Sequence, residues 1–191
     1  MATGPMLQTS GLSVDRGSRA VLKGVDFELS SGEIVALVGD NGSGKTTLLE
    51  ACAGILPLSG GSISRHSKSG KMQVVRDCEG RRNQPPPTGL TLQRDGICGE
   101  ETVEERLEVA LKVAGMEMSE PTASDVLKEW GLEHRRADRV AQLSGGQIRR
   151  LAVLCGLAPA ALSAESRVVM LDEPSEGLDR AGKELLIGWL R

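Results

Sequence analysis

The spacing of apolar residues predicts strands in two parts of the chain. Between Val25 and Leu29 apolar and polar residues alternate, which is typical of a half-buried strand, and Ser31-Gly32 then turns the chain. We expect an antiparallel edge strand there. The runs Ile34 to Val38 and Val168 to Leu171 are continuously apolar, which is the composition of parallel strands covered on both faces.

Between these runs the pattern changes to helical spacing. Thr102 opens a capping box, and apolar residues then recur at helical spacing until Gly115. A shorter helix is predicted over Ser124 to Trp130, and a third begins near Ser144. Because strands and helices alternate around an all-helical middle, we expect an α/β fold. It would have a parallel sheet with an inserted α-helical subdomain.

Composition narrows the range of functions. The 191 residues predict one compact domain, and the net charge of -3 with few aromatic residues offers no footprint for nucleic acid. No apolar run approaches the roughly 20 residues of a membrane-spanning helix, and the first residues do not form a signal peptide. The four cysteines lack C-x-x-C spacing, which favours buried thiols in a reducing compartment. We therefore expect a cytosolic protein.

Residues 39–46 carry the clearest chemical motif. Their sequence, Gly-Asp-Asn-Gly-Ser-Gly-Lys-Thr, fits G-x-x-x-x-G-K-[ST], in which backbone N–H groups wrap a phosphate. In this pattern Lys45 reaches the outer phosphates and Thr46 binds Mg²⁺. A chance glycine turn is the alternative, but the motif follows a predicted strand and opens a predicted helix, which favours phosphate binding.

Two carboxylates follow the second apolar run. In a parallel sheet, Asp172 and Glu173 would emerge at the edge that the glycine loop also faces. Asp172 would hold Mg²⁺, usually through water, and Glu173 would polarise the water that attacks the γ-phosphate. An acidic turn after a strand is the alternative interpretation.

A third motif, Leu143-Ser144-Gly145-Gly146-Gln147, precedes an apolar helix that Ser144 could cap. With residues 39–46 and 168–173, it stands in the order of the ATP-binding cassette (ABC) domain, the motor domain of ABC transporters, and the chain resembles that family over nearly its whole length. The resemblance implies a P-loop NTPase (RecA-like) core with a mostly parallel sheet, a small antiparallel β subdomain and the inserted α-helical subdomain. It also implies that Ser144, Gly145 and Gly146 contact the γ-phosphate held by a second ABC domain.

The resemblance implies roles for three further residues. Gln93 resembles the Q-loop glutamine, which touches Mg²⁺ and the attacking water, although it could be an ordinary surface residue. Asp179 resembles the D-loop aspartate that crosses the dimer interface, or it could merely cap the following helix. Arg16 stands where the family stacks an aromatic ring on adenine, and a solvated turn arginine is the alternative.

Together these inferences define a predicted site. The catalytic residues would be Glu173, Gln93 and Lys45, and the metal ligands would be Thr46, Gln93 and Asp172. The nucleotide would contact Gly39, Asp40, Asn41, Gly42, Ser43, Gly44, Lys45, Thr46, Thr47, Arg16, Ser144, Gly145, Gly146, Gln147 and Asp179.

The resemblance also predicts how the chain is divided into subdomains. A single ABC domain would have a core of about residues 1–94 and 165–191 and a helical subdomain of about residues 95–164. The family's switch histidine follows a strand beyond the D-loop, so we expect that the C-terminal part is missing from this chain, which leaves ATP hydrolysis by the 191-residue form open.

The function that follows is the ATP-hydrolysing subunit of an ABC transporter, which binds ATP and Mg²⁺. Its partners would be a second ABC domain, identical or different, and transmembrane permease subunits, on the cytoplasmic face of the membrane. One alternative is a soluble ABC ATPase acting on nucleic acid or ribosomes. Against it, fewer than 100 residues join Thr46 to Leu143, where chromosome-type members have a long coiled coil, and ribosome-acting members carry two cassettes. Another alternative is a hydrolysis-deficient truncated ABC protein.

Overall fold

The computed structural model describes residues 5–66, 71–83, 88–92, 99–117, 120–163 and 167–190. The chain forms two compact units, residues 1–86 and residues 87–191, and each is described by itself. In the described part of the chain, no helix has the length and apolar character needed to span a membrane.

The first unit is an antiparallel sheet with one helix. Its elements are β1 (Pro5–Arg16), β2 (Arg19–Ser30), α1 (Lys45–Cys52), β3 (Gly60–His66) and β4 (Met72–Asp77). The strand order is β2-β1-β3-β4, and every neighbouring pair is antiparallel. β2 is an edge strand in which Val25, Phe27 and Leu29 are half-buried and the residues between them are exposed, which confirms the prediction for this segment.

The core of this unit lies where α1 contacts β1 and β2. Its buried apolar residues are Leu7, Leu12, Val14, Leu22, Ala51, Cys52, Leu56, Ile63 and Val75. Burial raises the pKa of the Cys52 thiol to about 11, although the positive charge of Arg65 opposes this shift. At Gly61, with φ +74°, a Cβ atom would lie 2.3 Å from the carbonyl oxygen of Ser10, so β1 and β3 approach too closely there for any side chain.

The prediction of a buried strand over Ile34 to Val38 is wrong. Residues 33–40 form neither helix nor strand, and the side chains of Ile34 and Val38 are 69% and 93% exposed. A parallel strand needs hydrogen-bonded neighbours and covering layers on both faces. Among the described residues no strand pairs with this segment, so its apolar composition alone does not make it a strand.

The second unit is mainly helical. Its elements are β5 (Gly89–Thr91), α2 (Val103–Val113), α3 (Glu120–Glu129), α4 (Gly145–Ala161), β6 (Val169–Leu171) and α5 (Arg180–Trp189), with 3₁₀ turns at Glu133–Arg135 and Val140–Gln142. β5 and β6 are parallel, with Leu90 opposite Met170. The three predicted helices are present, and Thr102 makes both capping-box hydrogen bonds with Glu105.

Helix α4 lies at the centre of this unit and is buried on almost every side. The core that surrounds it includes the fully buried Trp130, whose ring meets that of Trp189 edge to face at 5.5 Å. α4 also lies close against β5, and a Cβ atom at Gly89 would lie 2.1 Å from the carbonyl oxygen of Gly156.

The fold thus agrees with the predicted α/β class in its antiparallel β part and its helical part. The parallel sheet is smaller than predicted, since parallel pairing in the described residues is confined to β5 and β6. β6 leads directly into the predicted site residue Asp172, whereas Gln93 lies outside the described residues.

Candidate functional site

The glycine loop runs directly into α1. Gly42 and Gly44 have φ values of +82° and +104°, a region that glycine adopts without a steric penalty. A Cβ atom at Gly44 would also lie 3.1 Å from Leu22 Cδ2 and 3.2 Å from Val21 Cγ1, so β2 leaves little room for a side chain. These two glycines are therefore required by the conformation and packing of the loop.

Lys45 closes the loop. Its Nζ atom donates hydrogen bonds to the carbonyl oxygens of Gly39, at 2.6 Å, and Asp40, at 2.9 Å. The first hydrogen bond inside α1 is donated by Leu48 N–H to Gly44 at 2.8 Å, and the amides before it belong to the positive end of the helix. The ammonium group and the helix terminus thus place positive charge on one loop.

The structure brings Arg16 to the same helix. Its guanidinium forms an ion pair with Glu50 of α1, while 47% of the Arg16 side chain stays exposed. Thr47 is buried, and its contact with the nucleotide stays a prediction. Residues 39–43 are exposed. The sequence motif is thus assembled within the first unit, while the contact of Arg16 with adenine stays a prediction.

The predicted carboxylates occupy a tight turn after β6. Asp172 is 4% exposed, and its N–H donates to the Thr91 carbonyl at 2.8 Å, which continues the pairing of β6 with β5. Glu173 is exposed and has φ +47°, the one positive φ found outside glycine in the residues that the structure describes. Because non-glycine residues are strained in this region, surrounding contacts must hold the turn in place.

Arg149 of α4, which the sequence analysis did not select, lies against this turn. Its Nη2 atom donates to the carbonyls of Asp172, at 3.3 Å, and Glu173, at 2.7 Å. Its Nε donates to Glu176 at 3.0 Å, and its Nη1 donates to Leu92 at 3.2 Å. The sequence did contain a signal for Arg149. It is a charged residue in a helix with apolar residues all round, and a charge in such a position needs buried hydrogen-bonding partners.

Ser144 caps α4, as predicted. Its Oγ accepts from Gln147 N–H at 3.3 Å, and its own N–H donates to Gln147 Oε1 at 2.9 Å. The motif is therefore also a capping box, which the S-x-x-Q spacing could have indicated. Ser144, Gly145 and Gly146 are exposed at the start of the helix. They are accessible to a ligand, and their contact with a partner's nucleotide stays a prediction.

Asp179 caps α5, which confirms the second interpretation of this residue. Its Oδ1 accepts from Gly182 N–H at 2.9 Å, and Arg150 Nη2 reaches both carboxylate oxygens at 2.7 and 2.6 Å. The hydrogen bond from Arg150 is the main cause that lowers the pKa of this carboxyl, and the bond from Gly182 adds to it. The residue is exposed, and its role at a dimer interface stays a prediction.

Potential Mg²⁺ ligands lie in both units, Thr46 in the first and Asp172 in the second, while Gln93 lies outside the described residues. In the ranges that the structure describes, no three His, Cys, Asp or Glu residues cluster as a metal site of their own. A threonine hydroxyl and a carboxylate are nevertheless the hard oxygen donors that Mg²⁺ prefers, together with phosphate oxygens.

Comparisons with known proteins identify the family of the chain. A family model described as ABC transporter matches residues 22–176. The chain is 34% identical over 178 residues to the taurine import ATP-binding protein TauB of Escherichia coli O157:H7, and 33% identical to that of strain K12. Each alignment covers 91% of this chain and 63% of the relative, so the chain spans about 63% of the length of these relatives.

Solved structures show the same fold. The ATP-binding subunit of an ABC transporter aligns with a TM-score of 0.78 and 26% identity, over 97% of this chain and 73% of that one. The ADP conformation of MJ1267, an ATP-binding cassette of an ABC transporter, aligns with a TM-score of 0.69 and 20% identity, over 98% of this chain and 76% of that one.

Proposed function

The chain belongs to the ABC transporter family, and from this premise we propose that it binds Mg²⁺-ATP and hydrolyses it to power import through separate membrane subunits. The observation that carries the proposal is the loop of residues 39–46, with Lys45 Nζ held over it and α1 starting at its end. Phosphate binding needs this combination of backbone amides, helix terminus and ammonium group.

On ATP binding, Lys45 would exchange its carbonyl partners for outer phosphate oxygens. Both carbonyls belong to the same loop, so the ammonium group already lies over the surface that the phosphates would occupy. Thr46 and Asp172 would hold Mg²⁺, whose charge would offset that of the phosphates. Gly39 to Gly44 and Thr47 would contribute backbone, and Arg16 would lie beside the adenine.

Glu173 would act as the general base. Its neighbour Asp172 is buried, whereas Glu173 is exposed, so the second carboxylate is the one that would meet a water molecule at the surface of the turn. Polarising that water would assist its attack on the γ-phosphate. Gln93 would help to orient the same water.

The remaining motif residues suit a site completed by a second ABC domain. Ser144, Gly145 and Gly146 start a helix with exposed residues, which is an arrangement that favours an anion supplied from outside. Gln147 would hold this terminus in shape through its capping bonds, and Asp179 would approach the partner. Closure of two such domains around ATP would drive the transport cycle.

We further propose that the partners are permease subunits and that the chain works on the cytoplasmic face of the membrane. The names of the TauB relatives support import as the direction of transport. They also favour a transporter over an ABC protein that acts on nucleic acid or ribosomes. The division into a core of about residues 1–94 and 165–191 and a helical subdomain of about residues 95–164 belongs to the same proposal.

Phosphate release from Mg²⁺-ATP tests this function. Glu173→Gln should keep ATP affinity and lower the turnover rate about 100-fold or more, because a general base contributes 10²–10⁴-fold. Glu184→Gln is the matched control, since Glu184 is exposed on α5 and pairs with Arg180 one turn away on the same helix. Turnover in Glu173→Gln equal to that of the unchanged chain would refute the role of Glu173.

A further inference from the structure

We propose that Arg149 is a positioning residue that holds the Asp172–Glu173 turn and thereby aims the Glu173 carboxylate; the inference rests on the proposed function. Arg149 Nη2 donates to both carbonyls of this turn, and the shorter bond, 2.7 Å, goes to Glu173 itself. Arg149 thus acts on the residue whose side chain would activate the water.

The backbone of Glu173 explains why such a contact is needed. With φ +47°, Glu173 adopts a left-handed conformation that a side chain disfavours. Its carbonyl accepts from Arg149 and also from Glu176 N–H at 3.0 Å. Because a bond from a charged donor is stronger than one from a neutral amide, Arg149 contributes the stronger of these two restraints.

The same guanidinium joins three segments. Besides the turn, it contacts the carbonyl of Glu176, in the loop before α5, and that of Leu92, the residue before Gln93. Helix α4 begins at Gly145, after its N-cap Ser144, so the arginine lies less than two helical turns from the motif predicted to meet the partner's nucleotide. One side chain therefore ties the Glu173 turn to the start of α4.

Arginine is suited to this position for a geometric reason. At 5% exposure the residue is nearly removed from water, and its planar fork directs several N–H groups at separate carbonyls. A lysine would retain the positive charge but would concentrate its donors on one atom, so it could not maintain all these bonds. Arg149→Lys should therefore release the turn while preserving charge.

The first test measures the backbone without relying on catalysis. In the nucleotide-free chain, amide hydrogen exchange at residues 172–177 should become about tenfold faster in Arg149→Lys, because local opening controls exchange. Arg167→Lys is the control, since Arg167 is a half-buried arginine that, like Arg149, donates to a carbonyl, that of Ala114 at 3.0 Å. Unchanged exchange at residues 172–177 in Arg149→Lys would overturn the inference even if the chain proved not to hydrolyse ATP.

The second test separates positioning from a merely structural role. In Arg149→Lys, kcat should fall about 10- to 100-fold, the scale of a small misplacement, while ATP affinity stays within about twofold. In a Glu173→Gln background the same change should cost less than about twofold, because Arg149 acts through the Glu173 carboxylate. An equal loss in both backgrounds would contradict this, as would an unchanged kcat.

Arg149→Gln provides a second variant if Arg149→Lys does not fold, because glutamine leaves no buried charge and still offers one donor group. The exchange and kcat comparisons are then made with that variant. Loss of the fold in both variants would show that Arg149 is structural and would overturn the proposal. Absence of phosphate release from the unchanged chain, with exchange altered as expected, would refute the proposed function alone.

Discussion

Gly156 offers a sharp test of how α4 lies against β5. A Cβ atom at this position would lie 1.9 Å from Thr91 Oγ1 and 3.2 Å from Thr91 Cβ. Thr91 has little freedom to move, since it is 3% exposed and its Oγ1 lies 3.4 Å from its acceptor, the carbonyl of Ala152. Gly156→Ala should therefore force the strand and the helix apart.

Two opposing contributions determine how much Gly156→Ala changes the free energy of unfolding. Inserting a methyl group into a filled site costs about 1–3 kcal/mol, whereas replacing glycine by alanine inside a helix gains about 0.5–1 kcal/mol. We expect the overpacking cost to exceed the helix gain, so the free energy of unfolding should fall by about 1–2 kcal/mol. Gly188→Ala is the control, because a Cβ at Gly188 of α5 would meet nothing within 4 Å. Gly188→Ala should raise the free energy of unfolding by about 0.5–1 kcal/mol.

Urea unfolding followed by tryptophan fluorescence is the assay, since both tryptophans, Trp130 and Trp189, lie in the same unit as Gly156. Adding Thr91→Ala removes the clashing oxygen and should restore at least half of the stability lost in Gly156→Ala. The close packing would be refuted if Gly156→Ala stabilised the chain as Gly188→Ala does. Strictly additive effects of the two changes would also refute it.

Two further predictions concern other parts of the chain. Thr102→Ala removes the hydroxyl that accepts from Glu105 N–H and should cost about 0.5–2 kcal/mol in the same assay, whereas Thr102→Ser should cost much less. An equal loss in both variants would show that the hydroxyl is not the stabilising group. Burial raises the pKa of Cys52 from about 9 to about 11, so the folded chain holds this proton more tightly than the unfolded chain. The associated stability is complete below about pH 9 and lost as the pH rises towards 11, and urea unfolding followed by circular dichroism should show a smaller fall in Cys52→Ala. The same fall in both proteins would contradict the assignment to Cys52.

The elements with local signals were predictable from the sequence. Thr102 and Ser144 each begin a helix through side-chain bonds to residues three positions away, so their neighbours in the sequence suffice to identify them. The glycine loop is similar, because the backbone of Gly44 and the start of α1 depend on adjacent residues. The sequence therefore predicted the residues that begin these helices and form this loop.

Features that depend on distant partners were not predictable in the same way. The run Ile34 to Val38 has the composition of a buried strand, but strand formation depends on neighbours that composition does not reveal. The contacts of Arg149 join carbonyls that are 24 and 57 residues away, at Glu173 and Leu92. No periodicity within α4 specifies such partners, so the role of Arg149 emerged only from the structure.

The claim on which the account depends most is that residues 39–46 hold the phosphates of ATP. A titration of the chain with Mg²⁺-ATP, followed by calorimetry, tests it directly when Lys45→Ala is compared with Lys23→Ala, an exposed lysine of β2. Loss of the charged hydrogen bonds should weaken binding about 10- to 100-fold in Lys45→Ala and leave Lys23→Ala unchanged. Equal ATP affinity in Lys45→Ala and the unchanged chain would contradict the account.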